Sequence, residues 1–462
     1  MKKRFLFIPY IFFALVALVS CTKLDERPTD IIDPDKAFRN LNDINLGLIG
    51  AYALADYSHI SMNATVSDEA MFPTENTVGN SDAFRWLYNP SSGSVTGLYA
   101  EGYRAIDRIN RTLEGLEKLS FSGNDAAIAA RYRGELLALR AYFHFELLRA
   151  YASAYQPGAL GVPYMKKASI GYPARDPFET VVANAKADLT EAKTLIPTSF
   201  TDKSRVTRLA VSALQARIAL YEKAWADAIT YSSEVITAIP LASKAQFPGI
   251  WTDANNSEVV WEAKRVYDGS TDSKVGDFFF RQTGEIVLYA PSFKLINSFD
   301  RDEDIRFPAY IKYDPTRTGT KSQYLVNKYI GTATPGLADI KLFRTAEMYL
   351  IRAEAKAESG GDGAEDLNAL RAARINNYTA ETFADKAALI NAIMTERFKE
   401  LAFEGHRFYD LRRRNLPVER LPEDAVNASG AVKLTPAQAQ YAFPVPATEV
   451  LINKNTVQNP NY

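Results

Sequence analysis

The 462-residue chain has one cysteine, three histidines and four tryptophans. A single thiol excludes an internal disulfide framework and any Cys-based metal cluster. His59, His144 and His406 are too far apart in sequence to form a recognised zinc pattern, and no metal or cofactor is expected. A basic excess is also missing: 54 Lys and Arg stand against 55 Asp and Glu. That balance argues against a phosphate-backbone partner, so nucleic acid is not expected to bind. Beyond residue 20 no apolar run is long enough for a bilayer crossing. Aromatic residues, by contrast, are abundant, with 25 Tyr and 25 Phe.

The lone thiol, Cys21, follows the basic run Met1-Lys2-Lys3-Arg4 and the mostly apolar residues Phe5 to Val19. Leu18-Val19-Ser20-Cys21 has the form of a bacterial lipobox. Residues 1–20 therefore read as a signal peptide, too short to span comfortably, and Cys21 as a lipid attachment point. One acyl chain holds a protein only marginally, and two or more hold it stably. Without Lys2, Lys3 and Arg4 the 54 basic residues become 51 against 55 acids, a net of −4. Residues 21–34 read as a lipidated tether, with Lys23, Asp25 and Glu26 resembling an acidic surface-export signal.

Beyond the tether, helical spacing dominates. Asp33 and Pro34 open a predicted helix carrying Phe38, Leu41, Ile44, Leu48 and Tyr52. Further helices are predicted over 97–119, 125–155, 178–197 and 389–403, with an irregular polar stretch from Met62 to Ser94. From Val206 to Pro240, Ala216, Ala228 and Pro240 fall on the small-residue and stop positions of a tetratricopeptide-like hairpin, with Trp225 near its turn. Arg344 to Arg374 reads as a second hairpin, with Ala353 as the small residue and Gly360–Gly363 as its turn. Between them, 247–336 forms a loop-rich, aromatic-rich lobe with β-like runs at Val259–Glu262 and Ile286–Tyr289. A loop region of this length is usually functional. The resulting division is a helical region over 35–246 and a second region over 247–462, whose hairpins occupy 337–462.

Several runs together resemble the SusD/RagB family of Bacteroidetes surface lipoproteins. They are Arg344–Ala355, Glu396–Arg413, Phe443–Glu449 and Gln458–Tyr462, with Glu135–Tyr151 and Gly161-Val162-Pro163 upstream. The resemblance implies a mainly α, SusD-like scaffold of helical-hairpin repeats bearing an irregular lobe with short strands. It also implies a non-enzymatic, surface-exposed lipoprotein, anchored in the outer membrane through acylated Cys21. Such a protein captures oligosaccharide for a SusC-like TonB-dependent transporter.

Sugars present apolar C–H faces and polar edges, so a site needs flat aromatics among a few polar groups. Loop-borne residues of that kind are Asp68, Asn76, Trp86, Tyr267 and Tyr289, the candidate ligand contacts. Each aromatic can equally serve as lobe core, the commoner fate for any single one. Glu404, His406, Arg407 and Asp410 invite an acid–base reading. The apolar residues Phe398, Leu401 and Phe408 instead favour a buried segment whose charges pair with one another. Asp300, Asp302 and Asp304 alternate as calcium ligands do, but Ile305 and Ile311 stand where an EF-hand needs Gly and Glu, leaving a solvated turn. Arg412–Arg414 reads as a solvated helix end. The alternatives are a surface-anchored glycoside hydrolase and a transporter lid for peptide cargo.

Overall fold

The computed structural model describes residues 37–77, 79, 81–267, 269 and 274–462. Cys21, the apolar leader and the Asp33–Pro34 start expected for the first helix lie outside them. Helix α1 (Leu41–Tyr52) begins at Asn40, whose side chain accepts the Asp43 N–H at 3.0 Å. α2 (Ser58–Val66) was not legible, because it is buried on nearly every side and has no amphipathic stripe. α3 (Gly93–Glu117) and α4 (Gly123–Tyr151) come next, then α5 (Phe178–Leu195), α6 (Arg208–Glu222) and α7 (Trp225–Ala238). After the lobe come α8 (Thr345–Ser359), α9 (Ala364–Ala372), α10 (Lys386–Glu400) and α11 (Arg407–Arg413).

These helices stack in sequence. α4 packs between α3 and α5, α5 reaches α6, α6 pairs with α7, and α7 lies against α8, which covers α9 and α10. Small residues set the close approaches, as their spacing predicts: Ala216 and Ala228 are fully buried in the α6–α7 hairpin. In the α8–α9 hairpin Gly360 adopts φ +86° to end α8, and Gly363 leaves no room for a Cβ beside the Ala353 carbonyl. The fold is mainly helical.

The strands are short and pair in twos: β1 (Ala70–Met71) with β5 (Ala290–Pro291), β2 (Val259–Ala263) with β8 (Ile340–Arg344), and β3 (Phe280–Arg281) with β4 (Ile286–Val287). β6 (Ile311–Tyr313) pairs with β7 (Tyr324–Val326), and β9 (Val418–Glu419) with β10 (Lys433–Leu434). The Val259–Glu262 run is thus a strand, but one at the seam between stack and lobe. Both β2 and β8 are buried throughout, with Trp261 stacked on Phe343 at 6.0 Å.

Charge is buried at this seam in quantity. Glu396, Glu400 and Glu404, spaced by four, meet Arg306, Arg344, Arg374 and Lys328. Glu400 alone lies 2.8 Å from Arg344, 3.0 Å from Arg306 and 3.1 Å from Arg374. Glu404 accepts from Arg344 and Lys328 at 2.6 and 2.7 Å. Pairing within the 396–413 segment accounts only for Asp410 with Arg397 and Arg413, both at 2.8 Å. The other glutamates are matched by arginines distant in sequence, because an interior charge needs a partner wherever the fold supplies one.

Two expected solvated features are likewise interior. Asp304 is buried against Arg306 at 2.8 Å and Lys399 at 3.1 Å, whereas Asp300 and Asp302 remain exposed. Arg412 and Arg413 are also buried. Arg412 donates to the Arg149 and Ala152 carbonyls at 2.8 Å, filling the unsatisfied C-terminal end of α4, and Arg413 clasps Glu354 at 2.7 Å. The last residues are stitched into the first half of the chain. Asn459 donates to the Tyr151 carbonyl at 3.0 Å and accepts from Arg175 at 2.9 Å.

Candidate functional site

The lobe encloses a cleft of about 570 Å³ between the β3–β4 turn and the β6–β7 hairpin. Leu325, Val326 and Tyr329 give it apolar surface, and Gln282, Glu285, Lys312, Asp314 and Lys321 give it polar groups. One wall depends on a close backbone approach: the Gly276 N–H donates to the Gly336 carbonyl at 2.9 Å, and a Cβ on Gly276 would collide with the Tyr329 carbonyl and with Gly336.

Glu75 fixes the hairpin tip. Its carboxylate accepts from Arg317 at 2.6 Å, from the Ser322 N–H at 2.7 Å and from the Val287 N–H at 3.1 Å. Arg317 also donates to the Ser322 carbonyl at 2.7 Å. With Arg317 so engaged, Lys312 and Lys321 are the cleft's exposed cations and Glu285 its exposed anion.

Strand alternation gives the hairpin two faces. Lys312 and Leu325 line the cleft, while Tyr313 and its cross-strand partner Tyr324 lie on the opposite side, ring centroids 5.0 Å apart. Tyr313 is 50% exposed. Arg301 donates to the Tyr324 hydroxyl at 3.2 Å and helps to orient that ring. Apolar surface, flat rings and fixed polar groups at one hairpin can receive a ligand that has apolar faces and hydroxyl edges.

The residues singled out from the sequence are placed unevenly around this site. Asp68 is buried, clasped by Arg407 at 2.6 and 2.8 Å and by Lys294 at 2.7 Å. Burial alone would raise its pKa, but these two cations outweigh burial and hold it to about 2. The Asn76 amide donates to the Leu288 carbonyl at 2.7 Å and accepts the Gly79 N–H at 2.7 Å. Trp86 is buried under Arg420, with its indole N–H on the Val66 carbonyl at 2.9 Å. Tyr289 is buried too, stacked on Phe278 at 4.8 Å, and burial pushes its hydroxyl up to about 12. These four brace the walls of the lobe from inside. Tyr267 is 49% exposed, its ring 4.6 Å from the Lys274 ammonium. The acid–base candidates are internal: His406 is buried, and burial together with Arg217 and Arg149 holds its pKa well below the ordinary value.

Sequence reasoning missed the cleft's own residues, such as Lys312 and Leu325, and the tyrosine pair on the hairpin's other face. Tyr313 and Tyr324 stood within the aromatic lobe, but their partnership depends on a hairpin. Alternation around Asp314-Pro315 and Gly319 was the available signal.

Two family profiles match. One, described as starch-binding associating with outer membrane, covers residues 24–220; the other, described as the SusD family, covers residues 305–462. The chain belongs to the SusD family. Among SusD-like relatives, protein P38 of Formosa agariphila is 23% identical across 90% of this chain and 93% of its own length. A SusD superfamily crystal structure from Bacteroides thetaiotaomicron superposes with a TM-score of 0.81 at 22% identity, covering 92% of this chain and 100% of the other. A structure titled laminarin binding SusD-like protein gives 0.71 at 21% identity, with coverage of 92% and 100%. The carbohydrate-binding and outer-membrane character in these names is that of the SusD family. No described helix of this SusD-family protein is long and apolar enough to cross a membrane.

Proposed function

We propose that this SusD-family protein is a non-catalytic glycan-binding lipoprotein. It captures oligosaccharides at the cell surface, anchored in the outer membrane through acylated Cys21, and delivers them to a SusC-like TonB-dependent transporter. The observation that carries the reading is the lobe hairpin, which presents the cleft's apolar surface and mixed polar rim on one face and exposed Tyr313 on the other. Lys312, Asp314 and Gln282 are the proposed contacts within the cleft, Tyr313 and Tyr324 those on the hairpin's other face, with Tyr267 as an outlying one. Asp68, Asn76, Trp86 and Tyr289 act as supports behind them.

Affinity for a free glycan is set at about micromolar to millimolar, roughly −8 to −4 kcal/mol, enough to concentrate cargo above a pore. A glycan array and titration of the best ligand test the reading. Tyr313→Ala and Lys312→Ala should each weaken binding about fivefold, roughly 1 kcal/mol, without changing the fold. Tight peptide binding with no sugar signal would overturn it in favour of a peptide lid. New reducing ends after incubation with the bound glycan would mark a hydrolase. Recovery of a TonB-dependent transporter with the full-length lipoprotein after mild detergent extraction tests the delivery step.

A further inference from the structure

The first described residues and an exposed loop share one end of the molecule. The Phe38 ring fills the space over Gly115 and Gly47, where neither glycine could carry a side chain without displacing a neighbour. One residue before Gly115, the Glu114 carboxylate accepts the Ala168 N–H at 2.9 Å, and Asn110 donates to the Met165 carbonyl at 2.9 Å. The first described residues therefore lie beside the loop that begins at Met165. Cys21 lies 17 residues before Phe38, a reach of at most about 55 Å at full extension.

That loop carries apolar side chains where a water-facing loop has no use for them. Ile170 is 100% exposed and Tyr172 60% exposed, just after the exposed Lys166 and Lys167. Asn453 and Asn455 donate to the Pro173 and Tyr172 carbonyls, both at 2.8 Å. This brings the exposed Leu451, Ile452, Val457 and Lys454 beside the loop. Among the described residues none of these three lysines has an ion-pair partner, and the nearby carboxylates are occupied. Glu114 holds Ala168, Glu449 holds Asn453 at 3.0 Å, and Asp176 holds the Tyr164 N–H at 2.8 Å.

We infer that the Lys166–Tyr172 loop, with Leu451 and Ile452 beside it, is a second attachment to the anionic lipid surface in which Cys21 is anchored. Ile170 and Tyr172 enter at headgroup depth, where tyrosine is favoured, and the lysines meet lipid phosphates. Acyl chains fix the distance of the tether but leave the body free to rotate. A loop contact at the tether's exit restrains that rotation and leaves the lobe cleft free. A protein partner fits less well, since a loop tip and one neighbouring turn with a few apolar side chains are small against the roughly 800 Å² per partner of a stable interface. A lipid contact of this kind is independent of the identity of the captured cargo.

The test uses residues 21–462 with Cys21→Ser, which removes the acyl contribution. Partition is measured by co-sedimentation with vesicles of equal parts phosphatidylglycerol and phosphatidylcholine, and with phosphatidylcholine alone. Binding to the anionic vesicles should exceed that to the neutral ones and weaken with added salt. Lys166→Glu with Lys167→Glu should reduce it at least about fivefold per charge, and Ile170→Asp with Tyr172→Asp should abolish it. Thermal melts of these surface variants should match the parent, which separates loss of contact from misfolding. No partition above that of a bystander protein, or equal partition by all variants, overturns the inference. So does a result in which the variants lose only a detergent-stable complex with another outer-membrane protein, which would assign the patch to a protein.

Discussion

His144 couples the fold to pH through a single side chain. Its Nδ1–H donates to the Arg140 carbonyl at 2.8 Å, its Nε2 accepts the Met165 N–H at 2.9 Å, and its ring stacks on Tyr164 at 3.8 Å. Both nitrogens are committed in the neutral form, and burial pushes the pKa down to about 3. Because the folded value lies below the unfolded 6.5, the associated stability is present above pH 6.5 and lost as pH falls toward 3. For His144 alone the loss by pH 5 is about 2 kcal/mol. His59 and His406 are shifted in the same direction by burial. Denaturant midpoints should therefore fall between pH 7 and pH 5, and His144→Gln should flatten part of that slope while lowering the midpoint at pH 7. Glu69 works in the opposite sense. Buried, with one carboxyl oxygen accepting the Phe403 N–H at 3.1 Å, it is pushed up to about 8. Its raised value gives stability that is present below about pH 4.5 and lost as pH rises through 8. Glu69→Gln should raise the melting temperature at pH 9 relative to the parent and leave it nearly unchanged at pH 5.

At the level of elements, the load between helices is carried by small residues and by ions, and these differ in how visible they are in a sequence. The α6–α7 hairpin was legible because Ala216, Ala228 and Pro240 encode close approach by local spacing alone. The α8–α9 turn was legible from its glycines. α2 was not, since burial all round erases the periodic signal, and neither was the seam, since Glu400 and Arg306 are separated by most of a hundred residues. The same limit applied to the site. A buried polar loop and an exposed one have the same composition, so Asp68 and Trp86 looked like ligand contacts, while the Tyr313–Tyr324 pair required a strand register to be seen. Breaking one member of the buried network strands its partners. Glu400→Ala leaves Arg306, Arg344 and Arg374 short of an acceptor and should cost about 3–5 kcal/mol in chemical denaturation. Arg412→Met removes the donor from the end of α4 and should cost roughly 1–3 kcal/mol by the same measurement. Neither should move glycan affinity in protein that remains folded.

For the molecule as a whole, the seam joins two kinds of structure with different tasks. The helical stack supplies a broad, rigid body, and the lobe supplies a cleft whose hairpin is held by one carboxylate, Glu75. A Glu75→Gln variant should keep the helical circular-dichroism signal and the main melting transition. It should lower glycan affinity about threefold to tenfold, because Arg317 loses its charged partner and the hairpin loses its fixed pose. If affinity were unchanged, the hairpin would not belong to the binding surface.

The stitching of Asn459 to Arg175 and to the end of α4 bears on how the molecule matures. A helix from the first third of the chain is finished by side chains about 300 residues away, so the end of α4 is complete only once these distant segments have met. Such an arrangement makes closure a long-range event, because the entropy of bringing the two segments together must be met before their contacts form. Removing residues 458–462 should therefore yield protein that is easily proteolysed near Tyr151, even though the cleft lies in another part of the chain.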